Sequence, residues 1–380
     1  MVGGTNSNAS QHGQEGLLEM MKLLDCQDLS QRLRVRDALL RLPPKSIDVN
    51  RTMTLLDEPY ALARLTGLKM LAKLPFSALL PELGNIIARL EDEDGDVRRA
   101  IVELIKKCPA EALIEHCELL VSLTSHTQWP VRVTALYACA LLPSEVLALH
   151  LENIMGNLQH EEPTVRWAAV DVLRHLPSNI SGTQAAKLIP RLADPERYVR
   201  WAAIGAVASM PTESLEPLMD RLTANLSSPQ ACARGITAIA MCRLESSLVL
   251  PYLRILALRL RDDEQAVRWA TLHGLRKLPI EALATQEYLI QEVAGRVMED
   301  PDIWVRKAAC RLLETMPEDS LPSDVRAAMD GIWSQHDEDY EGGEGGGESE
   351  GAIMREWGPE SSSSSACMPL GPSNAGGGRR

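Results

Sequence analysis

The sequence predicts an all-α solenoid of about nine two-helix repeats, and three observations carry that prediction. The first is an arginine that returns at Arg64, Arg98, Arg132, Arg166, Arg200, Arg234, Arg268 and Arg306, with six spacings of 34 residues and a last one of 38. Self-similarity at a fixed period in this range marks stacked supersecondary units rather than an ordinary globular domain. The second is the frame around that arginine. An apolar residue precedes it, small residues follow, and a proline usually stands eleven positions on, as from Val165-Arg166 to Pro177, Val199-Arg200 to Pro211 and Val267-Arg268 to Pro279. The third is composition: 45% of residues are hydrophobic, yet Phe76 is the only phenylalanine. A core of Leu, Ala, Val, Ile and Met suits helix packing better than a sheet, which favours β-branched and aromatic residues.

Taken in order, residues 1–15 are polar and rich in Gly, Ser and Asn, and are expected to be disordered. Arg32 lies eleven residues before Pro43, as Arg64 does before Pro75, so an irregular first repeat is expected to cap the stack. Residues 182–211 show the local logic of one repeat. Ala185, Leu188 and Leu192 fall at helical spacing in a first helix, and Val199, Ala202, Ala203, Ala206 and Met210 in a second. Asp194 is expected to cap that second helix, with Pro195 in its first turn and Pro211 ending it. Asp300-Pro301 repeats this punctuation, Asp262-Asp263 and Asp92-Glu93 take matching places, and His126, His160 and Ser228 replace the aspartate elsewhere. The four extra residues before Arg306 are about one helical turn, expected near Gln286 to Glu292. The repeat domain thus spans 16–334. Residues 335–380 form an acidic Gly/Ser-rich tail that is expected to be disordered and contains the apolar segment Ala352 to Trp357 and the serine run Ser361 to Ser365.

Two helices per unit, an aspartate in the turn and Val-Arg opening the second helix resemble HEAT repeats. The V-R-x-A-A-x-x-x-L frame and the shorter period are also similar to the HEAT-like repeats of phycobilisome lyases. The resemblance covers nearly all of residues 20–330 and implies a right-handed, armadillo-like superhelix. Tetratricopeptide repeats share the length, but their Trp/Leu/Gly/Tyr pattern is absent. The resemblance further implies that each ladder arginine is structural, pairing with a turn aspartate of its own or the next unit. Asp194 with Arg200, Asp262 with Arg268, and Asp300 before Arg306 are the available partners.

The residue after the arginine points to a binding surface. Trp167, Trp201 and Trp269 hold that position, and on a helix they share a face with Asp171 and Arg174 in one unit and with His273, Arg276 and Lys277 in another. Tyr137 and Lys106 extend the pattern in earlier units. Second helices line the concave side of HEAT-like arrays, and aromatic and arginine residues are the usual anchors of interfaces. The candidate partner-binding residues are therefore Trp167, Trp201, Trp269, Tyr137, Arg174, His273 and Arg276. The other reading packs each tryptophan against the second helix of the neighbouring unit.

Charge and motifs narrow the function. The net charge is -13, of which the tail from Gln335 carries nine acids and three bases, leaving -7 on the body. Such a balance argues against nucleic acid or an anionic membrane as a general partner. Cys26, Cys108, Cys117, Cys139, Cys232, Cys242, Cys310 and Cys367 include no C-x-x-C pair, which suggests a reduced, cytoplasmic chain, with the nucleus as an alternative. No nucleotide loop, nucleophile elbow or zinc-protease motif is present. Only His160-Glu161 matches the His-Glu pairs of the HEAT-like deoxyhypusine hydroxylases, and His116-Cys117 has no recognised zinc spacing, so neither metal nor cofactor is expected. The expected function is a non-catalytic scaffold or adaptor holding a protein partner, as a peptide or helical segment, on its concave face. A HEAT-like enzyme or chromophore lyase is the alternative, and a nucleic-acid binder akin to the HEAT-like DNA glycosylases a third.

Overall fold

A computed structural model of the chain describes residues 19–176, 182–317 and 321–341. Pro177, the N-terminal segment 1–15, and the tail beyond 341 with Ala352 to Trp357, Ser361 to Ser365 and Cys367 lie outside the described residues. Among the described residues every regular element is an α- or 3-10 helix. The chain divides into two compact units, one up to Asn157 and one from Leu158.

We label the second helix of each repeat. The first unit contains α1 (Leu29–Leu40), α2 (Ala61–Leu71), α3 (Gly95–Ile105) and α4 (Trp129–Cys139). The second contains α5 (Pro163–Leu173), α6 (Arg197–Ala208), α7 (Ala231–Met241), α8 (Gln265–Leu275) and α9 (Ile303–Leu313), followed by α10 (Ser323–Glu341). Helix α10 carries the second unit beyond residue 334, where the composition begins to read as tail. Within each unit, consecutive second helices pack side by side: α1 on α2, α2 on α3 and α3 on α4, then α5 on α6 through to α8 on α9. Their alanines allow this. Ala168, Ala169, Ala202, Ala203, Ala238, Ala270 and Ala309 are all buried. Between α7 and α8 the approach is tight, because a Cβ on Gly274 would stand 3.2 Å from Cys242 Sγ and 3.3 Å from the Ala238 carbonyl oxygen, and these neighbours would have to give way.

The first helices are shorter and broken. Pro81, Pro217 and Pro251 each stand in a 3-10 turn (Leu80–Glu82, Glu216–Leu218, Leu250–Tyr252), because proline lacks the N–H and clashes with the preceding turn. The repeat with four extra residues instead carries the unbroken helix Glu287–Glu299, 13 residues long. The proline eleven positions after the arginine has a clear role: Pro75, Pro109, Pro143, Pro211 and Pro279 each stand immediately before the next first helix.

The turn aspartates do not cap the second helices. Glu196 precedes α6, and Asp194 instead accepts the Glu196 amide with Oδ1 at 3.0 Å. Pro195 accordingly sits in the turn, outside the helix. Asp92, Asp262 and Asp300 likewise accept the amide two residues on, at 2.9, 3.1 and 3.1 Å. The substitutes keep this bond: His126 and His160 accept through Nδ1 at 3.1 and 3.0 Å, and Ser228 through its hydroxyl at 3.2 Å. These histidines therefore serve as turn acceptors.

Each aspartate also receives an arginine from the preceding repeat. Arg64 places Nε and Nη2 at 2.7 and 2.9 Å from the Asp92 carboxylate. Arg166 reaches Asp194 with both bonds at 2.8 Å, Arg234 reaches Asp262 at 2.7 Å, and Arg268 reaches Asp300 at 2.8 and 2.9 Å. The remaining Nη1 holds carbonyls of the arginine's own turn: His160 and Glu161 for Arg166, Asp194 and Pro195 for Arg200. Carboxylate pairing thus runs to the next repeat, while Arg200 and Arg268 take only backbone oxygens from Asp194 and Asp262. Planar, two-bond pairing of this kind fixes relative orientation, so the ladder sets the register between neighbouring repeats. The Asp194 and Asp300 side chains are fully buried, and Arg64, Arg98, Arg166, Arg200 and Arg268 are buried too. At Asp262, burial raises the carboxyl pKa, but the bonds from Arg234 and the Glu264 amide and the charges of Arg234 and Arg259 outweigh it and hold the group below its ordinary value.

Candidate functional site

The candidate surface lies on the face one residue further round each second helix from the ladder arginine. On the second unit that face is built from α5 to α10. Trp167 and Trp201 are half-buried at the start of α5 and α6. Trp269, in the same register on α8, is 2% exposed. The expectation that it serves as a surface anchor is therefore corrected. Its ring belongs to the core, with the His273 imidazole stacked on it at 5.1 Å and 12°.

Four cations stand about His273, and one of them lies over the Trp201 ring. The Arg243 guanidinium lies 5.2 Å over the Trp201 ring, within cation–π range. The Trp201 indole nitrogen is buried and has no acceptor among the described residues. Arg276 and Lys277 are exposed at the end of α8, and His273 is half-buried beside them. Arg311 on α9 lies 5.9 Å over Trp333 of α10, whose indole N–H donates to Glu314 at 2.7 Å. Lys307 sits 4.6 Å over Trp304, and both are buried. The electrostatics register this crowding at one group. Burial first, and then the positive charges of Lys277, Arg276, Arg243 and Arg311, push His273 down from 6.5 to about 4. His273 is thus neutral at physiological pH and adds a ring, not a charge, to the surface.

The other expected residues are placed differently. Arg174 is exposed but turns inward along its repeat, bonding Asp171 at 3.3 Å and lying against Gly205 of α6, where a Cβ would stand 3.4 Å from its Nε. Tyr137 is half-buried on α4 and Lys106 ends α3, both in the first unit. That unit has its own groove of about 430 Å³ between α2 and α3, with Leu65, Leu68, Ala72 and Leu104 below and Lys69, Arg99, Glu103 and Lys107 at the rim. Arg243, Arg311 and Trp333 escaped the sequence reading, which started from the tryptophans after the arginine and extended only to Tyr137 and Lys106. A signal was present: Arg243 holds in its repeat the position that Lys277 holds in the next, 34 residues on.

No family model matches the chain, and no curated protein matches it. Among solved structures, a crystal structure of a Kap121p mutant is similar over 79% of this chain and 37% of that one, with TM-score 0.55 and 15% identity. A crystal structure of an engineered protein is similar over 82% of this chain and 96% of that one, with TM-score 0.43 and 17% identity. The likeness to Kap121p, a HEAT-repeat karyopherin, places the chain in the all-α, helical-repeat solenoid class. The resemblance to phycobilisome lyases finds no support in these comparisons. No helix among the described residues is long and apolar enough to cross a membrane.

Proposed function

We propose that this chain is a non-catalytic protein-binding scaffold or adaptor, and that the second unit grips an acidic segment of a protein partner on the face of α6 to α9. The observation that carries this reading is the gathering of Arg243, Arg276, Lys277 and Arg311 about the half-buried His273, with Arg243 also over the Trp201 ring, in a chain whose net charge is -13. Guanidinium groups fork onto carboxylates, and the adjoining rings offer apolar area to the aliphatic or aromatic residues between them. Compartment follows the partner, and the cytoplasm is the reading that the reduced cysteines favour.

The test is affinity capture with the wild type and with the charge-reversed variant Arg243→Glu/Arg276→Glu/Lys277→Glu. All three residues are exposed, so the variant should keep its helicity and melting temperature. Partners that share an acidic segment should be lost, and their binding to the wild type should weaken as salt is raised. An unchanged set of partners from a folded variant refutes the assignment.

A further inference from the structure

We propose that Cys117, Glu118 and His150 form a binding site for a divalent metal of the zinc class, with water completing its coordination. The site lies within the first unit, whereas the surface assigned above belongs to the second, and it does not depend on that reading. The Cys117 sulfur, a Glu118 carboxylate oxygen and a His150 ring nitrogen lie within 4.8 Å of one another. Nε2 of His150 is 3.9 Å from Oε1 of Glu118. In four-coordinate zinc with bonds of about 2.0–2.3 Å, ligand atoms stand about 3.3–3.8 Å apart, so closure requires them to approach by at most about 1.5 Å. Rotation of the Glu118 side chain, 86% exposed, supplies the carboxylate's share of that movement.

The other two ligands are held. His150 stands at the corner between helices Ser144–Leu149 and Leu151–Gly156, with its N–H donating to Leu147 at 3.0 Å and its carbonyl accepting from Asn153 at 3.1 Å. Its side chain is only 16% exposed. Cys117 is a half-buried free thiol on the helix Cys117–Leu123. Thiolate, imidazole and carboxylate together suit zinc, whereas calcium and magnesium prefer oxygen alone. Three protein ligands also leave one position open. On binding, the Cys117 S–H proton passes to the buffer as the metal–sulfur bond forms, with no change of oxidation state. Spacing within one repeat concealed the site, because the histidine beside Cys117 in sequence is His116, whereas the ligand is His150 in the next repeat, 34 residues on.

The experiment uses the full chain stripped with chelator and titrated with cobalt, then zinc. One equivalent of cobalt should bind with a thiolate-to-metal charge-transfer band that zinc abolishes. Cys117→Ser should remove the band, His150→Gln should weaken binding at least about tenfold, and Cys108→Ser and Cys232→Ser should leave both intact. Far-UV circular dichroism accompanies each variant, and if Cys117→Ser loses helicity, the affinity of a folded His150→Gln decides. Absence of saturable one-to-one binding, or a band that survives Cys117→Ser, overturns the proposal and leaves Cys117, Glu118 and His150 as surface neighbours only.

Discussion

Asp194→Asn tests whether the arginine ladder holds neighbouring repeats together. The Asp194 carboxylate is fully buried and accepts four hydrogen bonds: two from Arg166, one from Arg191 at 3.0 Å and one from the Glu196 amide. The amide side chain keeps one acceptor but turns an N–H toward a guanidinium that is itself only 9% exposed. Removing one partner of a buried pair costs about 3–5 kcal/mol, because the other charge stays desolvated and uncompensated. Arg166→Met should cost less, since Arg191 still faces the carboxylate. The double variant Arg166→Met/Asp194→Leu, which leaves neither charge buried, should recover much of the loss. Urea unfolding by circular dichroism reads the total. Hydrogen exchange of the α5 and α6 amides reads it locally, which matters because repeat stacks unfold in parts. A change below about 0.5 kcal/mol for Asp194→Asn, with unchanged exchange in α5 and α6, would refute the reasoning.

Two further predictions follow from the same geometry. Arg98 donates to the Asp92 and Glu93 carbonyls at 2.6 and 3.0 Å, but the position that supplies a carboxylate to Arg64 is occupied, for Arg98, by His126, and its buried Nε has no acceptor among the described residues. His126→Asp should keep the turn bond, supply the missing partner and stabilise the first unit by about 1–2 kcal/mol, measured as a raised urea midpoint; a lowered midpoint contradicts it. His273, pushed down to about 4 chiefly by burial, contributes stability that is complete above its ordinary 6.5 and is lost as pH falls from there toward 4. Wild-type stability should therefore fall between pH 6.5 and 4 relative to His273→Leu, and an NMR titration that places His273 near 6.5 rejects this.

The sequence by itself determined the repeat, its phase and the all-α class, because a 34-residue period can be read from spacing alone. It also marked the helix face on which Trp201, Arg276 and His273 lie, since helical periodicity fixes which side chains share a face. What it left open was which aspartate each arginine takes. Arg200 has an aspartate six residues before it, Arg166 has the same Asp194 28 residues after, and both spacings satisfy the pattern. Only the stacking of one repeat on the next decided that the carboxylate serves Arg166 and the carbonyl Arg200. Burial was equally invisible. Trp201 and Trp269 occupy one register, yet one keeps an exposed edge under Arg243 and the other is enclosed. Register along a helix is a local property, whereas exposure depends on how closely the neighbouring helix approaches. On the helix of Trp269 that approach is tight, as the packing of α7 on α8 at Gly274 shows. The meeting of Cys117 with His150 has the same origin, because residues a full repeat apart become neighbours only when the repeats are stacked.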